Sequence, residues 1–217
     1  MMAMLLAAGR GERMRPLTDR IPKPLLEVGG KPLIVWHIEN LVHAGITDLV
    51  VNHAHLGAQI EAALGDGRRF GAHIQYSPEA SALETAGGIA NALPLLGDEP
   101  FAVINSDIYC DYDFAHLPER AAALQASGDM AHLVLVDNPP HHPNGDFALS
   151  GNRIYALPPS PLTLPALLTF SGIGIYRPSL FSPIPRGGIA PLAPLLRAQI
   201  ALGRVSGEHH RGLWVDV

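Results

Sequence analysis

Apolar runs of strand length alternate with amphipathic stretches of helix length along the first half of this 217-residue chain. The first apolar run, residues 2–8, ends in a glycine-rich turn at residues 9–11. An apolar stripe at helical spacing follows at residues 33–42, with Pro32 before its first turn and Gly45 after its last. Strands that alternate with helices are typical of βαβ units, so the pattern predicts an α/β fold with a mixed, mainly parallel sheet flanked by helices.

The rest of the chain continues this alternation. Further strands are predicted at residues 49–51, 73–76, 101–104, 131–136, 147–149, 153–156, 167–176 and 213–217, and further helices at residues 56–64, 85–93, 114–125 and 192–202. A proline-rich connection is predicted at residues 158–165. We expect a single domain over residues 1–217, with a nucleotide-type parallel sheet in residues 1–110 and insertions in residues 111–217 that build a partner pocket.

Composition and charge exclude several classes of protein. Apolar residues make up 47% of the chain and charged residues 16%, which is typical of a compact globular protein. The single cysteine, Cys110, is expected to be packed rather than reactive, and residues 2–8 suit a buried strand rather than a signal peptide. The net charge of −5 argues against a nucleic-acid surface, and no run approaches the ~20 apolar residues of a membrane helix. We therefore expect a cytoplasmic protein with neither nucleic acid nor membrane as a partner.

The turn after the first strand combines small residues with cations. Its small side chains let backbone N–H groups approach a phosphate or a base edge; they are Ala7, Ala8, Gly9 and Gly11. A turn that only reverses the chain is the alternative. Five cations within fourteen residues favour a polyphosphate ligand: Arg10, Arg13, Arg15, Arg20 and Lys23. A P-loop sequence is absent, and the dinucleotide pattern fails because Met14 occupies the place of its third glycine.

This run resembles the signature of the sugar-1-phosphate nucleotidyltransferases, G-x-G-x-R-(L/M)-x-P-L-T. The matching positions are Gly9, Gly11, Arg13, Met14, Pro16, Leu17 and Thr18. Residues 22–25, Pro-Lys-Pro-Leu, match a second box of the family. The resemblance implies a Rossmann-like nucleotide-diphospho-sugar transferase fold and a Mg²⁺-dependent enzyme that joins a nucleoside triphosphate to a sugar 1-phosphate and releases pyrophosphate. It implies that Arg13 holds the triphosphate and that Lys23 contacts the reacting phosphates.

Two aspartates follow apolar runs, Asp107 after residues 101–104 and Asp216 within residues 213–217. Taken alone, the first suits a turn or a helix cap, and the second suits a polar residue near a terminus. Mg²⁺ prefers one or two carboxylates together with substrate phosphates and water. Both segments also resemble boxes of the same family, Asn-Ser-Asp and Trp-Val-Asp-Val. The resemblance implies that Asp107 and Asp216 bind Mg²⁺ and that Asp107 is catalytic.

Candidate contacts for the base and the sugar come from shorter segments. Residues 84–88, Glu-Thr-Ala-Gly-Gly, match a box found in several branches of the family, which implies nucleotide binding by Glu84, Thr85, Gly87 and Gly88; a simple strand-to-helix turn is the alternative. Asn52, at the end of the second strand, is a further candidate for reading the nucleotide. For the sugar phosphate we name Lys23, Asn105, Asp146, Thr169 and Glu208, although polar interruptions of strands are more often bulges or turns.

The resemblance extends over nearly the whole chain to a uridylyltransferase branch of the family. It includes residues 52–54, 64–67, 133–139, 168–173 and 205–209. This implies UTP and N-acetylmuramic acid α-1-phosphate as substrates, in a cell-wall recycling route. The alternatives are mannose-1-phosphate guanylyltransferase, glucose-1-phosphate thymidylyl- or uridylyltransferase and, in a different class, a non-catalytic nucleotide-sugar-binding module. The paired histidines are expected in loops rather than in a zinc site, and the oligomeric state is left open.

Overall fold

The computed structural model describes residues 1–156 and 167–217, and the proline-rich connection predicted at residues 158–165 lies outside the described residues. The strands are β1 (Ala3–Leu6), β2 (Glu27–Val28), β3 (Lys31–Pro32), β4 (Asp48–His53), β5 (His73–Pro78), β6 (Phe101–Asn105), β7 (Ile108–Cys110), β8 (Ala131–Val136), β9 (Ala148–Ser150), β10 (Arg153–Tyr155), β11 (Thr169–Tyr176), β12 (Val205–His209) and β13 (Trp214–Asp216). The α-helices are α1 (Leu33–His43), α2 (Gly57–Leu64), α3 (Glu84–Leu96), α4 (Leu117–Ser127) and α5 (Leu192–Ala201).

Nine of these strands form one mixed sheet in the order β5-β4-β1-β6-β11-β8-β12-β10-β9. The pairs β4–β5, β1–β4, β1–β6 and β8–β12 are parallel. β11 runs antiparallel to both β6 and β8, and β10 runs antiparallel to both β12 and β9. The mainly parallel sheet that the βαβ pattern predicted is therefore confirmed.

The core lies on both faces of this sheet because successive side chains of a strand point to opposite faces. On β1, Leu5 packs into one apolar cluster together with Ile38 of α1, whereas Met4 packs into a second cluster together with Ile89 of α3. Both of these β1 side chains are fully buried. A strand covered on both faces has no polar side, which explains why the first run of the sequence is continuously apolar.

Three features of the fold were not predicted. β2 and β3 form a short hairpin, and β13 pairs with β7 in a second two-stranded sheet rather than joining the main one. β12 was missed because its Ser-Gly-Glu-His segment carries little apolar signal, and it forms by pairing with the distant β8. Cys110 of β7 is packed as expected, and burial raises the pKa of its thiol to about 11.

Within the described parts of the chain, no helix combines the length and the apolar character needed to cross a membrane.

Candidate active site

The carboxyl ends of β1, β4 and β6 meet at one edge of the sheet. Leu6 lies opposite both Asn52 and Asn105 in the parallel register, so the chain leaves β1 between these two amides. A cavity of about 330 Å³, here called cavity A, opens at this edge. Its wall brings together many of the residues predicted for the nucleotide and phosphates: Ala7, Ala8, Gly9, Gly11, Lys23, Asn52, Glu84, Thr85, Asn105 and Asp107. Ligands of open α/β sheets bind at this position.

The glycine-rich loop is shaped by Gly11, whose φ of +66° lies in the left-handed region. Thr18 is buried beneath the loop and its hydroxyl donates a hydrogen bond to the Gly11 carbonyl, 2.8 Å away. A Cβ at Gly11 would lie 2.9 Å from Thr18 Cγ2 and 3.1 Å from Lys23 Cβ. A Cβ at Gly9, by contrast, would meet nothing within 4 Å. Gly11 is therefore required by the fold, whereas Gly9 keeps one side of the cavity open.

Gly11→Ala is expected to lower the free energy of unfolding by about 1–2 kcal/mol, the cost of placing a Cβ residue in the left-handed region. The contacts with Thr18 and Lys23 would add to this cost. Gly9→Ala is the matched control, and we expect it to leave stability unchanged while it narrows cavity A. Urea unfolding followed by circular dichroism measures both variants. Equal stability of the two would contradict the role assigned to Gly11.

Lys23 and Asp107 form an ion pair at the floor of cavity A. The Lys23 ammonium lies 2.9 Å from Asp107 Oδ2, and the lysine is only 5% exposed. A buried ammonium requires a charged or hydrogen-bonding partner, and Asp107 supplies one. The fold therefore places a fixed positive charge beside a carboxylate that remains open to solvent on its other side.

Asp216 is brought next to Asp107 by the small β7–β13 sheet. Asp216 lies opposite Ile108, and the backbone N–H of Val217 donates to the Asp107 carbonyl over 3.1 Å. Asp216 Oδ2 accepts a hydrogen bond from the Arg13 guanidinium at 3.3 Å. The residues predicted for phosphates and metal therefore form two neighbouring ion pairs, Lys23 with Asp107 and Arg13 with Asp216.

A second cavity of about 390 Å³, here called cavity B, adjoins cavity A and shares Asn105 and Asp107 with it. Both predicted metal carboxylates line cavity B. Among residues 1–156 and 167–217, no cluster of three or more histidine, cysteine or acidic side chains could hold a metal. Two carboxylates that face a cavity suit Mg²⁺, which completes its shell with water and substrate phosphates. The donor set therefore fits the predicted ion.

Cavity B also contains Arg13, which the sequence had assigned to the triphosphate, and Thr169, which it had assigned to the sugar. Asp146 does not line either cavity but supports B. One of its carboxylate oxygens lies 3.1 Å from His142 Nε2, and the other accepts the Phe170 N–H at 2.8 Å. The sequence did not identify four further residues of this wall, His141, His142, Phe170 and Trp214. The only signal in the sequence was the histidine pair, which lies in a proline-rich loop.

Glu79 is a further site residue that the sequence did not reveal. Its carboxylate accepts hydrogen bonds from the Asn52 amide at 2.6 Å and from the Leu83 N–H at 3.0 Å. Asn52 in turn accepts the Ala7 N–H at 2.8 Å. This chain of hydrogen bonds joins the glycine-rich loop to the start of α3 across the wall of cavity A. Glu79 follows β5 without any motif of its own, so only the packing identifies it.

Gly87 and Gly88 are buried in α3 and line neither cavity. A Cβ at Gly88 would lie 2.7 Å from Glu79 Oε1, and one at Gly87 would lie 2.3 Å from the Gly188 carbonyl. These glycines let the helix approach its neighbours closely. They act through packing, and their contact with the nucleotide stays a prediction.

Glu84 begins α3 with a φ of +63°, which is unusual for a residue with a Cβ. It lines cavity A, beside Thr85. Strained backbone of this kind is found disproportionately at ligand sites, so it supports the prediction that this turn contacts the nucleotide.

Glu208, like Asp146, is a predicted sugar residue that lines neither cavity A nor cavity B, and it lies away from both. It lies at a separate polar pocket between α4 and β12, where three side chains contact its carboxylate. Tyr112 donates at 2.6 Å and Arg120 at 2.8 Å, and His132 Nε2 lies 3.4 Å away. Burial raises the pKa of Glu208, but the hydrogen bonds from His132, Arg120 and Tyr112 outweigh it and hold the pKa well below its usual range.

Glu208→Gln is expected to lower the free energy of unfolding at pH 7 by about 2–3 kcal/mol, because it leaves a half-buried arginine without its ion partner. A carboxylate with a lowered pKa contributes stability above its unfolded pKa of about 4.3 and loses it as pH falls further. The difference between wild type and variant should therefore shrink below about pH 4. Urea unfolding at pH 7 and at pH 3 tests this; a constant difference would contradict the ionic role.

A parallel sheet whose carboxyl edge carries a glycine-rich loop, a buried lysine–aspartate pair and a second carboxylate defines a site for a phosphorylated nucleotide. The chain belongs to the nucleotidyl transferase family, which matches residues 2–156. The resemblance to sugar-1-phosphate nucleotidyltransferases that the sequence indicated is thereby confirmed.

Individual relatives refine this picture. The chain is 56% identical to an N-acetylmuramate alpha-1-phosphate uridylyltransferase of Neisseria meningitidis, over 100% of this chain and 93% of that protein. It is 32% identical to a mannose-1-phosphate guanyltransferase of Hypocrea jecorina, over 100% of this chain and 60% of that protein. A solved Bacillus anthracis structure, described as a glucose-1-phosphate thymidylyltransferase with sucrose, superimposes with a TM-score of 0.84. The superposition covers 100% of this chain and 89% of the Bacillus anthracis chain. The two sequences are 23% identical over it, so the similarity supports the fold alone.

Proposed function

We propose that this protein transfers the uridylyl group of UTP to N-acetylmuramic acid α-1-phosphate, forming the UDP-sugar and pyrophosphate in a Mg²⁺-dependent reaction. The observation that carries this proposal is the 56% identity, along the whole chain, to a uridylyltransferase of that name. The guanyltransferase alternative shares 32%. The reaction would take place in the cytoplasm and return a cell-wall sugar to nucleotide-sugar synthesis.

The two cavities take their walls largely from different halves of the chain, which supports assigning one substrate to each. Cavity A is built entirely from residues within the first half, 1–110, and contains the glycine-rich loop and the turn at Glu84 and Thr85. Cavity B draws most of its wall from residues 111–217, and Arg13, Asn105, Asp107 and Ile108 are added from the first half. We assign UTP to cavity A and the sugar phosphate to cavity B. Asp107 borders both, so the reacting phosphates would meet there.

The chemistry is an in-line displacement at phosphorus. An oxygen of the sugar phosphate attacks the α-phosphorus of UTP, and the bond from that phosphorus to the bridging oxygen breaks, so pyrophosphate leaves with the electron pair. The attacking oxygen is already an anion at neutral pH and needs no general base. The enzyme therefore accelerates the reaction by positioning the two substrates and by neutralising phosphate charge.

The chain's own residues fit those two tasks. The backbone N–H groups of the loop at Gly9 and Gly11 position the phosphates of UTP. Lys23, held by Asp107, presents a fixed ammonium to the charge that develops on the transferred group, and Arg13 presents a guanidinium from the side of cavity B. Mg²⁺ held by Asp107 and Asp216 would neutralise phosphate charge when bound.

The test is a matrix of four nucleoside triphosphates against four sugar 1-phosphates, with and without Mg²⁺, read as pyrophosphate release. The sugars are the N-acetylmuramic acid, N-acetylglucosamine, mannose and glucose 1-phosphates. We expect the highest kcat/KM for UTP with N-acetylmuramic acid α-1-phosphate and no turnover in EDTA. A higher value for GTP with mannose 1-phosphate would contradict the proposal. Binding of nucleotide without turnover of any pair would instead favour a non-catalytic module.

A further inference from the structure

One wall of cavity B carries hydrogen-bond donors that the transfer reaction does not account for. His141 and His142 lie on the loop between β8 and β9 and line cavity B without lining cavity A. Lys23, by contrast, lines cavity A only. The imidazoles therefore stand apart from the ammonium that faces the reacting phosphates.

Both imidazoles are already aimed at carboxylates of the protein. His141 Nε2 lies 3.5 Å from Asp216 Oδ2, and His142 Nε2 lies 3.1 Å from Asp146 Oδ1. Their side chains are 50% and 41% exposed, so each imidazole is accessible to a ligand in the cavity, whose carboxylate can share or take over the Nε2–H group. A carboxylate is the partner that matches this arrangement, because hydrogen bonds to an ionised oxygen are the stronger ones.

The loop that carries them is held in place by side-chain hydrogen bonds. The Asn138 amide donates to the Leu167 carbonyl at 2.8 Å and to the Pro143 carbonyl at 3.1 Å. Asn138 Oδ1 accepts the Thr169 hydroxyl at 2.8 Å. These bonds tie the loop to β11, which forms another side of cavity B. The two imidazoles are thus positioned before a ligand arrives, which lowers the ordering cost of binding.

We propose that His141 and His142 select a sugar 1-phosphate that itself bears a carboxylate, by donating their N–H groups to that carboxylate. The inference rests on the proposed function, since N-acetylmuramic acid differs from N-acetylglucosamine by a lactyl ether whose carboxylate is an added negative charge. The aromatic side chains of Phe170 and Trp214 on the same cavity offer apolar surface for the rest of the lactyl group. Specificity then comes from a charged group that the competing sugar lacks.

The experiment compares His141→Leu, His142→Leu and the double variant with wild type in the UTP reaction. Specificity constants are measured for N-acetylmuramic acid α-1-phosphate and for N-acetylglucosamine α-1-phosphate. Each single variant should lose about 10-fold or more in kcat/KM for the first sugar, the scale of one hydrogen bond to a charged group. The value for the second sugar should change by less than about 2-fold, which lies within the variation of surface substitutions. If the second sugar is not turned over, its competitive inhibition constant replaces the specificity constant.

Two further kinds of variant distinguish loss of sugar binding from a general effect of replacing a histidine. His→Gln at the same positions retains an N–H donor and should recover part of the lost specificity. His73→Leu is the matched control. The His73 side chain is 63% exposed at the amino end of β5, away from the carboxyl edge of the sheet, and it lines none of the described cavities. Circular dichroism and urea unfolding establish that all variants are folded.

An equal loss on both sugars would overturn the inference, because the imidazoles would then serve the phosphate that both sugars share. An unchanged ratio in the double variant would overturn it as well. Failure of the proposed function has a different signature, namely that wild type turns over some other sugar. In that case the inhibition constants of the two amino-sugar phosphates against that reaction provide the same comparison, with the same expected pattern.

Discussion

Asp107→Asn is expected to reduce pyrophosphate release by about 1,000-fold while the protein remains folded, a loss at the upper end for removing one electrostatic contact to a transition state. The substitution keeps the size of the side chain and an oxygen that can accept from Lys23, but it removes the negative charge that Mg²⁺ requires. Because a buried ammonium loses its counter-ion, the free energy of unfolding should also fall by about 2–3 kcal/mol.

Turnover and folding are measured separately for this variant. Initial rates are taken over a range of Mg²⁺ concentrations, and urea unfolding is followed by circular dichroism. Asp66→Asn is the matched control, since Asp66 is an exposed turn residue that pairs with Arg68. Near-normal turnover by Asp107→Asn at the Mg²⁺ concentration used for wild type would rule out its assignment as a metal ligand.

Lys23→Met is expected to lower kcat by about 100- to 1,000-fold with a smaller change in KM for the sugar, because the ammonium acts on charge that develops during the transfer. Methionine fills much of the space of the lysine stem beneath Gly11 and carries no charge. Asp107 loses its partner but retains access to water, so we expect the free energy of unfolding to fall by only about 1–2 kcal/mol.

Lys31→Met provides the control for Lys23→Met, because Lys31 lies over the Trp36 ring away from both cavities. It should leave turnover within about 2-fold of wild type, as surface substitutions usually do. A Lys23→Met variant that keeps kcat and loses only affinity for UTP would show that the lysine binds nucleotide without assisting the transfer.

Local sequence patterns were sufficient for the elements whose shape depends on their chain neighbours. β8 has the predicted bounds, residues 131–136, because an apolar run interrupted only by His132 and containing two valines suits a buried strand. α1 begins after Pro32 and ends just before Gly45, as the end signals indicated. The loop at Gly9 and Gly11 could be recognised for the same reason, since the positive φ of Gly11 is a local requirement that glycine meets.

Side-chain partnerships were harder to predict because they join distant parts of the chain. Glu208 is an example: its polar segment suggested ligand recognition, yet Tyr112, Arg120 and His132 surround it in the folded protein. Glu79 is the converse, a residue without a motif that organises the wall of cavity A. In both cases burial and hydrogen bonding decide the role, and neither is encoded by neighbouring residues.

The sequence by itself determined the α/β class, the glycine-rich loop and the identity of the four charged residues at its centre. Only the tertiary structure decided how they combine: Lys23 pairs with Asp107 across 84 residues, and Arg13 pairs with Asp216 across 203. The small β7–β13 sheet makes this possible, because its ladder places Asp216 beside Asp107. The order of residues in the sequence does not show which remote residues will pair, since contacts between remote segments arise from the packing of the whole domain. For that reason cavity B and its two histidines came to light only in the folded protein.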